Sequence, residues 1–176
     1  MTIVGRKVLI LAGPLYEDLE LWYPKLRLEE EGVATTVAGV GEKTYQGKRG
    51  YPVTVDTQAD AVRAADYDAL VIPGGFAPDQ LRRHESVLRI TRDMAGAGKP
   101  IAFICHAGWV PISARILKGR RATSVRAIKD DMENAGATWE DAPVVVDGNL
   151  ISSRTPADLP QFCAALIAAL RERPQD

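Results

Sequence analysis

The strongest constraint on this chain is an alternation that runs from end to end: short, unbroken apolar runs separated by stretches with helical spacing. Lys7 to Ala12, Ala69 to Ile72 and Ile101 to Ile104 are such runs, and a strand that is apolar on both faces is one covered on both faces. Thr35 to Ala38 reads as a further strand. From Asp18 to Glu31 the residues Leu19, Trp22, Leu26 and Leu28 recur near helical spacing, with Gly32 as a stop. Ser86 resembles an N-cap for a helix to about Ala95, ended by Gly96 and Gly98. More helical pattern covers Val110–Leu117 and Ile128–Ala135, and an apolar-rich helix runs from about Ala157 to Arg171. Tyr51 to Val55 reads as part of a hairpin after the Gly47 and Gly50 turns, and Val144 to Ile151 as a hairpin turning at Asp147-Gly148. The order predicts an α/β fold with a mainly parallel sheet, as one domain over residues 1–176. It contains no internal repeat, low-complexity tract or linker.

Composition narrows the function. Lys and Arg number 22 against 23 Asp and Glu, a net charge of −1, which argues against a dedicated nucleic-acid binder. No apolar run approaches the roughly 18 residues that span a bilayer, so no membrane partner is expected. Arg6-Lys7 before Val8–Leu15 has the outline of a minimal signal peptide. The acidic, bulky Tyr16-Glu17-Asp18-Leu19-Glu20 that follows has no small-x-small cleavage site, and the run reads better as a buried strand. The two cysteines, Cys105 and Cys163, make no disulfide framework and no zinc-like grouping with His84 and His106, so a reducing, cytoplasmic setting is expected. Lys129-Asp130-Asp131 lacks a third ligand at a convincing spacing, and the loop Gly39 to Thr44 fails both the Rossmann and the Walker spacing. The expectation is no metal and no cofactor.

Parallel sheets bind ligands beyond the carboxyl ends of their strands. Three segments place unusual residues there: Glu17 after the first strand, Gly74-Gly75 after Ile72, and Cys105-His106 after Ile104. Ile104-Cys105-His106-Ala107-Gly108 resembles a nucleophile elbow, and a thiol at a helix start is expected to titrate well below the free value of about 8.5. The bland reading is a buried cysteine used as a small hydrophobe. His106 offers either its ring as general base or its backbone N–H as an oxyanion donor, with Gly75 as the second donor. Gly74-Gly75 also reads as a plain strand-ending turn. Glu17 is either an acid holding its proton beside the sulfur or simply a helix-starting residue. Cys163 lies in the apolar body of a helix and His84 in a charged surface segment.

Longer segments carry a resemblance. Tyr16-Glu17-Asp18-Leu19-Glu20-Leu21, Leu70 to Asp79, Gly98 to His106, Ile128 to Asp131 with Asn134-Ala135-Gly136, and Val144 to Asn149 with Ser152 to Leu159 together resemble the DJ-1/PfpI superfamily, on its PfpI (intracellular protease-like) branch. The resemblance implies a flavodoxin-like three-layer α/β/α sandwich of the class I glutamine amidotransferase type. It implies Cys105 as nucleophile, His106 as its partner, Glu17 as the acid touching the thiol, and the backbone amides of Gly75 and His106 as the oxyanion site. In PfpI-type oligomers an acidic residue from a neighbouring subunit completes the triad. Asp79 occupies that position, where many members have Glu. The family's Cys-His-Gly-Pro is replaced by Cys105-His106-Ala107-Gly108-Trp109, so Gly74 and Trp109 are expected to shape the pocket.

The implied activity is that of a thiol-dependent hydrolase acting on carbonyl substrates: glyoxalase- or deglycase-like, in stress protection. An intracellular cysteine peptidase active as an oligomer, and a non-catalytic redox sensor working through Cys105 oxidation, are the alternatives. The expected partners are a small carbonyl substrate or peptide and further copies of the chain, as a homodimer or homohexamer.

Overall fold

In the computed structural model, which describes residues 2–174, the alternation resolves into eleven strands and six α-helices among the described residues. In chain order these are β1 (Lys7–Leu11), α1 (Asp18–Glu30), β2 (Ala34–Gly39), β3 (Thr44–Gln46), β4 (Pro52–Thr54), β5 (Thr57–Gln58), β6 (Ala69–Ile72), α2 (Ala77–Leu81), α3 (Glu85–Gly96), β7 (Ile101–Ile104), α4 (Trp109–Ser113), β8 (Arg121–Ala122), α5 (Lys129–Asn134), β9 (Thr138–Trp139), β10 (Val145–Asp147), β11 (Leu150–Ser153) and α6 (Leu159–Glu172). Seven of the strands form one sheet in the order β10-β11-β7-β6-β1-β2-β5, parallel throughout except for the antiparallel β10.

The handedness of the crossovers sets the layers. β1-α1-β2 steps to one side of β1 and β6-α3-β7 steps to the other, so right-handed connections place α1 and α3 on opposite faces of the sheet. α6 packs beside α1, and α3 packs beside α4. This is the expected flavodoxin-like three-layer arrangement. Its centre is the set of continuous apolar runs: Val8–Leu11, Ala69–Ile72 and Ile101–Ile104 are all buried. Strand order reverses at β1, and the carboxyl ends of β1, β6 and β7 meet beside that switch point, where such sheets hold ligands. No helix among the described residues is long and apolar enough to cross a membrane.

Three details differ from the sequence expectation. On α1, Leu19 and Leu26 are each 57% exposed and Trp22 is half-buried, while the buried line is Glu20, Leu21, Pro24 and Leu28. The reason is local. The Glu17 carboxylate caps the helix by accepting the N–H of Glu20 at 3.0 Å, which fixes the rotation of the first turn. α3 is capped at His84 rather than Ser86. The helix expected over Val110–Leu117 is only the short α4, and Arg115 beyond it takes a left-handed φ of 60°. The 144–151 hairpin forms as β10 and β11, with β11 also pairing in parallel with β7.

Candidate active site

β7 ends at Ile104, and the chain turns at once through a 3-10 turn, Cys105–Gly108, into α4. Cys105 has φ 62°, in the left-handed region, where a residue with a side chain stores about 1–3 kcal/mol of strain. The Val125 N–H donates to the Cys105 carbonyl at 3.3 Å and helps hold the turn. This is the strand–turn–helix elbow that the residue order suggested.

Four groups converge on the sulfur. His106 Nδ1 lies 3.3 Å from Sγ. The backbone N–H groups of His106 and Gly75 lie near enough to Sγ to pull the thiol pKa down. The fourth is the Glu20 carboxyl, which touches the Cys105 side chain and accepts the Gly74 N–H through Oε2 at 2.7 Å. The approach depends on two glycines. A Cβ on Gly74 would stand 2.5 Å from Glu20 Oε2 and 2.8 Å from Cys105 Cβ. Gly75 has φ 80°, and a Cβ there would meet the Glu17 nitrogen at 2.4 Å. Backbone bonds pin this turn to the end of β1: Glu17 N–H to Gly74 O at 3.1 Å and Phe76 N–H to Leu15 O at 2.9 Å.

The acid at the thiol is therefore Glu20, one helical turn beyond the expected Glu17. Glu17 is occupied as the N-cap and borders an open groove of about 930 Å³ instead. A signal for Glu20 existed. It shares one helical line with Pro24 and Leu28 at spacings of four, so a carboxylate falls on the face that must enter the core. Lys48 was also missed, and the sequence holds no signal for it. The buried Asp18 carboxylate accepts the N–H groups of Arg49 and Tyr51, each at 2.9 Å, and so folds this loop back and brings the exposed Lys48 into the field of Glu20, Cys105 and His106.

Burial dominates the electrostatics. It pushes the Glu20 carboxyl up to about 8, helped by the Glu17 charge and opposed by the Gly74 N–H, so Glu20 carries its proton at neutral pH. Among the described residues Glu20 Oε1 is buried with no hydrogen-bond partner, a site that suits the neutral form. Burial pushes the Cys105 thiol up to about 12, and a charged Glu20 pushes the same way, while the two backbone N–H groups and Lys48 pull it down. The expectation of a strongly lowered thiol pKa is thus corrected: desolvation outweighs the two backbone N–H groups and Lys48. With Glu20 protonated the like-charge contribution at the sulfur vanishes, so the two groups titrate as a pair. Burial and then Lys48 lower His106, which leaves a neutral imidazole able to accept a proton.

The other sequence candidates sort cleanly. In this chain Asp79 is paired with Arg83 at 2.6 Å, on and just beyond α2. Trp109 lies against the His106 ring at 5.2 Å between centroids. Asp131, set aside as a metal ligand, accepts the Trp109 indole N–H at 2.9 Å. Cys163 is buried in α6 as core. The Gly39–Thr44 loop connects β2 to β3, with Gly41 N–H bonded to Gln58 Oε1 at 2.6 Å. Among the described residues no three His, Cys, Asp or Glu side chains gather as a metal-ligand set.

The comparisons point one way. The family model described as "DJ-1/PfpI family" matches residues 6–169. "Deglycase PH1704" of Pyrococcus horikoshii is 48% identical over 165 residues, 94% of this chain and 99% of the relative. "Protein/nucleic acid deglycase 2" of Escherichia coli is 40% identical over 162 residues, 90% of this chain and 94% of the relative. Among solved structures, a two-domain protein from Anabaena variabilis with DJ-1/ThiJ/PfpI-like and ferritin-like domains superposes with a TM-score of 0.92 at 40% identity, over 95% of this chain and 48% of that one. An elbow cysteine with a neighbouring histidine, a buried glutamate beneath it and a family match over nearly the whole length lead to one conclusion: this chain belongs to the DJ-1/PfpI family.

Proposed function

We propose that this protein is a cysteine-nucleophile hydrolase of the deglycase type, which removes small α-oxoaldehyde adducts from amines and so protects against carbonyl stress. The observation that carries the reading is the grouping at Sγ: a base at 3.3 Å, two neighbouring backbone N–H groups and a proton-bearing carboxyl. Sulfur forms a C–S bond at the carbinolamine carbon as the C–N bond there breaks, and His106 carries the thiol proton to the leaving amine, which leaves a hemithioacetal. The Gly75 and His106 N–H groups beside the sulfur are suited to hold the oxygen of the bound carbon, two bonds from sulfur, as charge builds on it. The hydrogen on that carbon then passes through an enediolate to the neighbouring ketone carbon, so that the first carbon is oxidised to a thioester as the second is reduced to an alcohol, and one water hydrolyses the thioester to free thiol and hydroxy acid. Names of relatives at 40–50% identity support this reading. The near-neutral charge speaks against a standing nucleic-acid surface, yet the name of the Escherichia coli relative keeps glycated nucleobases within the substrate class.

The working form in this reading is a homo-oligomer. Leu19 and Leu26 (57% each), Tyr51 (60%) and Phe76 (65%) are exposed apolar side chains near the site, and a second copy would cover them. In that assembly Asp79 is the residue offered across an interface to His106. Peptide cleavage is the second reading, favoured by the open apolar groove beside Glu17, which has room for a chain. The test is release of free amine and hydroxy acid from methylglyoxal-treated N-acetyl-lysine, with a labelled peptide as a parallel substrate. Wild type should release amine, and Cys105→Ser should fall to the buffer rate. A fully active Cys105→Ser would refute thiol chemistry, and peptide cleavage without amine release would select the peptidase. Peroxide oxidation of Cys105 with turnover of neither substrate would select the redox sensor.

A further inference from the structure

His106 follows the nucleophile on a strained turn, where adjacent side chains ordinarily diverge. Among the described residues its imidazole hydrogen-bonds only to the Cys105 sulfur, through Nδ1. What touches the ring is Trp109, three residues on, with ring centroids 5.2 Å apart and planes at 55°. This indole is itself held from two other elements. Its N–H donates to Asp131 Oδ2 on α5 at 2.9 Å. The Arg82 guanidinium, just past α2, lies 5.6 Å over the ring. Arg82 is braced in turn by its Nε–H to Ser113 Oγ on α4 at 2.8 Å. The ring is not core filling, because it is half-buried and borders an open cavity of about 380 Å³ with Asp131 and Asn134. Polar anchors at the N–H and over the face fix an orientation, which an apolar pocket alone does not do.

We propose that Trp109, anchored by Asp131 and Arg82, is the positioning residue for the His106 imidazole, holding Nδ1 toward the Cys105 sulfur. The indole thereby supplies the orienting part of what the carboxylate of a Ser-His-Asp triad does with a hydrogen bond, and leaves the charge-stabilising part to the Asp79 offered across an interface. The proposal rests on the reading of His106 as the base, and it gives a specific use to the tryptophan that follows Cys105-His106-Ala107-Gly108.

The test uses the full chain and two readouts: the proton signals of the His106 ring by NMR, and kcat and KM for adduct removal. In Trp109→Ala the His106 ring signals should lose the indole ring-current shift, and kcat should fall about 10- to 100-fold with KM little changed, as for a displaced catalytic group. Trp109→Phe should retain part of both. Asp131→Asn keeps an oxygen acceptor for the indole and should stay near wild type, whereas Asp131→Leu should move toward Trp109→Ala. Unchanged ring signals and kcat in a folded Trp109→Ala would overturn the proposal. If that variant does not fold, the same result in Asp131→Leu, whose side chain is exposed, would overturn it. A His106→Ala protein with the wild-type rate would remove the base reading, while the ring signals would still decide whether Trp109 holds the imidazole.

Discussion

Glu20→Gln removes one ionisable proton from the site and keeps the shape of the side chain. Its amide oxygen can still accept the Gly74 N–H, which Oε2 accepts at 2.7 Å, and its NH₂ can still donate toward sulfur. In the folded protein the Glu20 carboxyl is raised from 4.5 to about 8. Below pH 4.5 both the folded and the unfolded chain hold the proton and nothing depends on pH. Between 4.5 and about 8 the unfolded chain releases it and the folded chain does not, so stability falls as pH rises and levels off above the folded value. At 1.36 kcal/mol per pH unit the whole fall is about 5 kcal/mol, an upper bound because a buried site can relax or admit water. The assay is urea unfolding of wild type and variant at several pH values from about 5 to about 8, with reductant present. Other carboxylates and His106 titrate alike in both proteins, so the difference between the two curves isolates Glu20. The variant should gain several kcal/mol on wild type across that range. Parallel curves would mean that Glu20 ionises normally in the fold, and the account of a proton-bearing acid beneath Cys105 would fail.

Two further outcomes follow from the geometry. Gly74→Ala places a methyl 2.5 Å from Glu20 Oε2 and 2.8 Å from Cys105 Cβ, so it should cost about 1–3 kcal/mol and slow Cys105 alkylation. Wild-type melting and alkylation would show that the turn has more room than this. Leu19→Glu changes a residue that is 57% exposed, so the fold should lose less than about 0.5 kcal/mol while assembly is lost in light scattering. An unchanged oligomer would place the interface away from α1.

Much of this molecule was legible in residue order. Runs such as Ala69–Ile72 and Ile101–Ile104 are apolar at every position, and only a strand covered on both faces uses such a run. Their alternation with helices predicted the parallel sheet, and the residues just past Ile72 and Ile104 marked the ends where chemistry collects. Cys105, His106, Gly74 and Gly75 were found that way because local chain geometry, an elbow and a glycine turn, is written in neighbouring residues.

What tertiary structure alone decided was which side chains enter the site and in what charge state. Glu17 and Glu20 stand one turn apart with the same chemistry, and the choice between them turns on helix rotation: one caps α1 and the other is carried under the sulfur. Lys48 arrives only because Asp18, distant in sequence, folds its loop back. Trp109 meets His106 through anchors just past α2 and on α5. The thiol's high pKa likewise comes from desolvation by the packed layers, which outweighs the nearby N–H groups and Lys48. Periodicity and motifs report interactions a few residues apart. Burial and electrostatic fields depend on everything brought within several ångströms, and that set exists only once the sheet and its two helical layers have closed.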